Sequence, residues 1–246
     1  MRLHRFYVDL PLAPGQLVEL PAAVAHHAVR VLRLRDRATL VLFNNRGSEF
    51  SATLSLAADL ARAEIKDESV VASDSKLALT LVQSWTASDK LDWIVEKAVE
   101  LGVHRIVLAP TQRALVQLSG DRLQRRVERL RDIAIAAACQ SGRTRLAEIT
   151  AGSDIESALR FGLEDGGRGI LLDPGAAESL VDAALEAGSA CAIAIGPEGG
   201  FDDQEMALAR RLGYGARRLG PRILRTETAG LAALTVIQSI AGDLGS

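Results

Sequence analysis

Ala190-Cys191-Ala192-Ile193-Ala194-Ile195-Gly196-Pro197-Glu198-Gly199-Gly200-Phe201 decides the fold class. Six apolar residues without alternation are the pattern of a strand buried on both faces, as in a parallel sheet. The run ends in glycines, which let a ligand reach the backbone because no β-carbon stands in the way. A second turn of this kind follows: Leu219-Gly220-Pro221-Arg222-Ile223-Leu224-Arg225-Thr226-Glu227-Thr228-Ala229, which leads into an apolar helix. Each alone also reads as a tight turn, and neither fits the dinucleotide fingerprint or the phosphate loop. Crevices at strand ends are where open α/β sheets bind small molecules. The two together, with an Arg/Thr/Glu cluster, predict a cofactor pocket beside a charged reaction site.

Upstream of these turns the pattern alternates strand and helix, which means a parallel sheet covered on both faces. Strands are expected at Leu77-Val82, Arg105-Ala109, Gly169-Leu172, Ala190-Ile195 and Arg217-Leu219. Amphipathic helices are expected over 89–101, capped by Ser88 and ended by Gly102, and over 121–138. A further helix is expected over 176–187, and one after Phe201 opens on Asp202 and Glu205 at capping-box spacing. The last helix, about 226–242, is apolar nearly all round and must be buried in the core or against another chain.

Residues 1–72 read differently. Leu17-Leu20, Thr39-Phe43 and Glu49-Leu54 are short strands, the last two joined as a hairpin by Asn44-Ser48. A short helix over 21–32 puts Val24, His27 (or Ala28) and Val31 on one face. So many short strands in so few residues suggest a small barrel. The polar stretch Ser69-Ser75 marks the boundary, giving domains 1–72 and 73–246.

The composition, 48% hydrophobic and 24% charged over 246 residues, is that of a soluble globular chain. Met1-Asp9 lacks the apolar core of a signal peptide, and no apolar run is long enough to span a bilayer, so a cytoplasmic protein is expected. Cys139 and Cys191 sit in Ala/Ile-rich surroundings, as buried and inert thiols do. The four histidines show no ligand spacing, so no metal is expected. A net charge of −2 argues against a purely electrostatic polyanion binder. Yet arginines cluster locally: Arg30, Arg33, Arg35 and Arg37 against Asp36, and six from Arg210 to Arg225 with no acid. Such clusters are solvated faces or, taken together, a surface for a polyanion.

The order and content of the motifs resemble the small-subunit (16S) ribosomal RNA uridine-N3 methyltransferases, of the SPOUT or α/β-knot class. The resemblance rests on the two glycine-rich turns, on Ser88-Val103 as a first long motif and on Gln140-Ser141-Gly142-Arg143 as a second. His27 and Val31-Leu32-Arg33 match near the amino end, so nearly the whole chain is covered. One departure stands out: the family carries a glycine near Arg35-Asp36-Arg37, and this chain has none.

The resemblance implies a PUA-like RNA-binding β-barrel ahead of a knotted, parallel-sheet methyltransferase domain. It implies S-adenosyl-L-methionine (AdoMet) as methyl donor, 16S ribosomal RNA or the small subunit as partner, a homodimer, and neither DNA nor membrane. Cofactor-binding residues would be Leu172, Gly196, Gly199, Gly200, Leu219, Gly220, Ile223, Leu224 and Thr228. Glu198, Arg225 and Glu227 would serve the chemistry, with Arg225 and Glu227 also readable as an ion pair shaping the pocket. Arg5, His27, Arg30, Arg33 and Arg143 would touch RNA, although a histidine packed on the barrel fits His27 as well. Uridine N3 becomes nucleophilic only when its proton leaves, so a carboxylate and a cation near it make chemical sense. Another SPOUT specificity, or a non-catalytic RNA-binding module, stays open at this point.

Overall fold

A computed structural model describes residues 3–57 and 60–245. The chain forms two compact units, Met1–Asp74 with Ala138–Leu146, and Ser75–Ala137 with Ala147–Ser246.

The first unit contains β1 (His4–Tyr7), β2 (Leu17–Glu19), α1 (Ala22–His26), β3 (Thr39–Phe43), β4 (Ser48–Ala57) and β5 (Leu60–Val70). The strands form one sheet in the order β1-β3-β4-β5-β2, parallel only between β1 and β3. Along β4 every second residue from Ser48 to Leu54 is buried, which sends Phe50, Ala52 and Leu54 to a core with Phe6, Leu40, Leu42 and Ile65. The expected hairpin is present, its turn carrying Asn45 and Gly47 at positive φ.

The helix over 21–32 departs from its expected form. After α1 the chain widens into a π-turn, His27–Val31, with Leu32 N–H bonded to the His27 carbonyl. The wider turn shifts the buried face. Ala28 is buried with Val24 and Val29 against the core, while His27 and Val31 face solvent. The missing glycine is replaced in conformation: Arg33 (φ 54°) and Arg37 (φ 64°) both adopt the left-handed region. For a side chain with a β-carbon that costs about 1–2 kcal/mol. The Asp36 carboxylate, accepting from Leu56 N–H at 2.8 Å, fastens the bend.

The second unit contains β6 (Ala78–Ser84), α2 (Ser88–Glu100), β7 (Arg105–Ala109), α3 (Gly120–Ser141), β8 (Glu148–Ala151), α4 (Ile155–Gly162), β9 (Arg168–Leu172), α5 (Leu180–Leu185), β10 (Ala190–Ile195), α6 (Asp203–Arg211), β11 (Tyr214–Arg217) and α7 (Thr226–Ala241), with the end of α3 grouped in the first unit. The strands form a wholly parallel sheet, β11-β9-β10-β6-β7-β8. All six residues of β10 are buried, as the unbroken apolar run requires. Ala192 and Ala194 face α4 and α6, while α7 covers β10 and β6 from elsewhere and packs on α2 and α5.

Several expectations need correction. Ser88 is the first helical residue and makes no cap; Ala87 occupies the N-cap. The expected strand Arg217-Leu219 lies earlier, at Tyr214–Arg217, and Leu219 belongs to the loop. The helix over 176–187 shrinks to α5, because Ser179 caps Val181 N–H and Arg218 holds the carbonyls of Ala176 and Ala177. The Asp202/Glu205 capping box forms as its spacing predicts. Cys139 is only half-buried, whereas Cys191 is buried; burial pushes the Cys139 thiol up and the Cys191 thiol up to about 12, which leaves neither reactive. Among the described residues, no helix is long and apolar enough to cross a membrane.

Candidate functional site

Because β9, β10 and β11 run parallel, their carboxyl ends lie together, and the loops leaving them enclose a cleft of about 800 Å³. Its walls come from Leu172-Asp173-Pro174, Ile195 to Phe201, Leu219-Gly220 and Arg222 to Thr226, with Lys90 of α2 closing one side. A volume in this range suits a small ligand.

The first turn is tied down on every side. The Thr226 hydroxyl donates to the Gly196 carbonyl at 2.7 Å and accepts from the buried Gln83 amide at 3.1 Å. Arg113 donates to the carbonyls of Gly199 and Phe201 at 3.0 and 3.3 Å. Glu198 Oε1 accepts from the Thr86 hydroxyl at 2.7 Å and from Lys90 Nζ at 2.9 Å. Lys90 Nζ also stands 3.6 Å from Glu227 Oε2. Burial alone would raise the Glu198 pKa; the donors Thr86 and Lys90 outweigh it and hold the carboxyl below its ordinary value. The Glu198 hydrogen bond raises the Lys90 ammonium pKa, so the pair stays fully ionised near neutrality.

A β-carbon built on Gly200 (φ 68°) or Gly220 (φ 71°) would meet nothing within 4 Å. At Gly196 it would stand 3.1 Å from Phe201 N, and at Gly199 3.3 Å from the Arg113 side chain. Gly196 and Gly199 therefore serve packing within the turn, while Gly200 and Gly220 leave open space.

Most of the sequence-predicted cofactor residues come together at this cleft: Leu172, Gly196, Gly199, Gly200, Leu219, Gly220, Ile223 and Leu224. Thr228 does not; it is exposed, and Thr226 and Ala229 of the same helix line the cleft instead. Glu198 and Arg225 line it as well, but Arg225 pairs with no acid among the described residues, and the cation beside Glu227 is Lys90. Lys90, Thr86, Asp173, Arg113, Gln83 and Thr226 also line or brace the cleft, and nothing in the sequence marks them singly. Lys90 lay within the quoted motif Ser88-Val103, but the helical pattern alone gives it no mark.

The residues expected to touch RNA divide. Arg5 pairs with Glu49, donates to the carbonyls of Gly142 and Arg143 at 3.1 Å and lies over the Phe43 ring. Arg143 is buried, its Nε 3.0 Å from Asp74 Oδ1. Both arginines are spent inside the first unit. Arg30 and Arg33 are exposed, and His27 is exposed with its ring edge-on to Phe6 at 5.8 Å.

The composition of the cleft fits AdoMet. Leu172, Ile195, Leu219, Leu224 and Ala229 offer an apolar wall for a flat base, the glycines offer bare backbone, and Asp173, Glu198 and Asp203 suit a cationic ligand. Among the described residues, no group of three or more His, Cys, Asp or Glu is placed to hold a metal ion.

Comparison with known proteins decides the family. Residues 73–238 match the model of an RNA methyltransferase domain, and residues 20–68 that of an RNA methyltransferase PUA domain. A Neisseria gonorrhoeae ribosomal RNA small subunit methyltransferase E, solved bound to S-adenosyl methionine, is 34% identical with a TM-score of 0.88, over 99% of this chain and 100% of that one. The chain belongs to this methyltransferase family. A Legionella pneumophila protein solved with bound SAM is 31% identical with a TM-score of 0.92, over 99% of this chain and all of that one. The curated Bacillus subtilis ribosomal RNA small subunit methyltransferase E is 26% identical over 96% of each chain.

Proposed function

We propose that this family member transfers a methyl group from AdoMet to N3 of a uridine in 16S ribosomal RNA. The observation that carries the reading is the cleft itself: both glycine-rich turns, an apolar wall and an ionised Lys90–Glu198 pair face one space. The SAM-bound relatives support the donor, and the relatives' name supports the RNA. Bound AdoMet supplies a methyl carbon on a sulfonium, activated for displacement. The chain's own residues do the rest. Gly200 and Gly220 leave room at the backbone. The tied first turn fixes one wall, which reduces the loss of freedom on reaching the reactive geometry. Glu198 is held ionised by its donors, so it orients Lys90 and is a weak proton acceptor. The base must leave its stack to expose N3, as for other base-modifying enzymes.

Arg30 and Arg33, with His27, are the RNA contacts of the PUA-like unit in this reading, because they are exposed arginines beside a strained backbone. A homodimer follows from exposed apolar residues on adjacent helices, Val181 and Leu185 of α5 and Ile240 of α7. An RNA target of this kind places the protein in the cytoplasm. The reading is tested by incubating the protein with AdoMet and small-subunit RNA from a strain lacking the gene, then mapping the product by mass. One methyl group on a uridine base is expected; methylation of a ribose or a guanine, or none, would sink it.

A further inference from the structure

On the uridine-N3 reading above, we propose that the Lys90 ammonium is the fixed cation against which negative charge gathers on a uracil carbonyl oxygen as N3 loses its proton. Three observations carry this. Lys90 is the one cleft-lining cation, among the described residues, that two carboxylates hold in place, at 2.9 and 3.6 Å. Arg222 and Arg225 also line the cleft, but both are exposed and neither forms an ion pair among the described residues. An ammonium carries three N–H donors, and only Glu198 takes one at hydrogen-bond distance, so donors remain for a ligand. Glu227 Oε2 is buried, stands 3.6 Å from Lys90 Nζ and accepts no hydrogen bond among the described residues, so it braces the ammonium by charge without taking one of its donors.

The cluster also suits a cationic donor. One ammonium against the carboxylates of Glu198 and Glu227 leaves a net charge of −1, so a sulfonium is admitted while a localised positive charge is kept for the base. The charged groups that line the cleft with Lys90 and Glu198 are Asp173, Asp203, Arg222 and Arg225; Glu227 reaches Lys90 without being a lining residue. A preorganised cation of this kind acts where charge develops and needs no reorganisation when it does. In the step it serves, the N3–H bond breaks and the proton passes to solvent. The nitrogen lone pair then bonds the methyl carbon, and the carbon–sulfur bond breaks to give a neutral thioether.

The test is single-turnover methylation by full-length Lys90→Met, read against pH, with AdoMet affinity measured by calorimetry. The rate near neutrality should fall roughly 10²-fold, the loss typical of removing one such donor. The deficit should shrink as pH rises, because solvent then removes the proton without help. It should shrink also on RNA carrying 5-fluorouridine, whose N3 is more acidic. AdoMet affinity should stay within a few-fold of wild type, and Lys90→Arg should keep most of the rate. A Lys90→Met protein with wild-type rate and pH dependence overturns the proposal. So does an equal deficit at every pH on both RNAs, loss of AdoMet binding, or failure of both Lys90→Met and Lys90→Gln to fold. Product mapping with wild-type protein comes first. A methyl group away from N3 would refute the reading of the reaction itself, a result separate from any behaviour of Lys90.

Discussion

The two glycine-rich turns look alike in sequence and are held very differently. In the first, the Gly196, Gly199 and Phe201 carbonyls and the Glu198 carboxylate all accept bonds from side chains on other elements. In the second, Gly220, Pro221, Arg222 and Ile223 are all exposed, Ile223 at 85%, and no side-chain hydrogen bond reaches them among the described residues. The difference teaches how such a cleft divides its work. One wall is preorganised by the fold, and the other is left to be ordered by what binds, at a conformational cost that comes out of the affinity.

Substitutions can break this contrast. Gly196→Val should have the largest effect: its β-carbon would press on Phe201 N at 3.1 Å, displacing the tied wall. AdoMet affinity should fall by about 2–4 kcal/mol, a factor of roughly 30 to 1,000, as calorimetry would show. Thr226→Val leaves the Gly196 carbonyl and the Gln83 amide without their partner in a buried place. A stability loss of about 1–3 kcal/mol should appear as a lower Tm, and a Tm equal to wild type would show that the first turn is not held as described. Gly220→Ala has open space but a φ of 71°, so a loss of about 1 kcal/mol is expected from backbone strain alone. Ile223→Ser should leave the stability of the free protein within ~0.5 kcal/mol of wild type, read as a nearly unchanged Tm, because its side chain is solvated. Any loss it causes should be in AdoMet affinity.

Acid sharpens the contrast in the tied wall. Glu198 is depressed in the folded state, so its stabilisation is present above the ordinary value of 4.5 and is lost as pH falls through the lower folded value. Thermal melts of wild type and Glu198→Gln should therefore differ most near neutrality and converge below pH 4.5. A constant difference down to lower pH would count against the Thr86–Glu198–Lys90 arrangement.

What could be read from sequence follows the same physics. β7 and β10 were legible end to end, because a strand buried on both faces is an unbroken apolar run. β8 and α4 went unread: Glu148–Ala151 has four residues and too little pattern to register. β11 was placed late, since Gly213 and Gly215 around Tyr214 look like a turn. The glycines of the cleft were legible as glycines, but not which way their missing side chains point. Gly199 faces Arg113, and Gly200 faces open space. Arg5 and Arg143 show the larger gap. Charge clusters cannot say whether an arginine meets RNA or an acid of its own unit, and Glu49 and Asp74 are distant in sequence from the arginines they hold. Ile237 teaches the same for the last helix. It is fully buried within its own chain, so a charge there unfolds the unit, whereas Ile240 is the exposed position at which to test a dimer.

Amide hydrogen exchange of the full-length protein, with and without S-adenosyl-L-homocysteine, tests the account most directly. The Gly200 amide of the first turn, bonded to the Pro197 carbonyl at 2.9 Å, should already exchange slowly in the free protein and change little. Residues 219–225 should exchange fast when free and become protected on binding. Protection that appears elsewhere, or a second turn as slow as the first before any ligand is added, would contradict the assignment of the cleft and the division of labour between its walls.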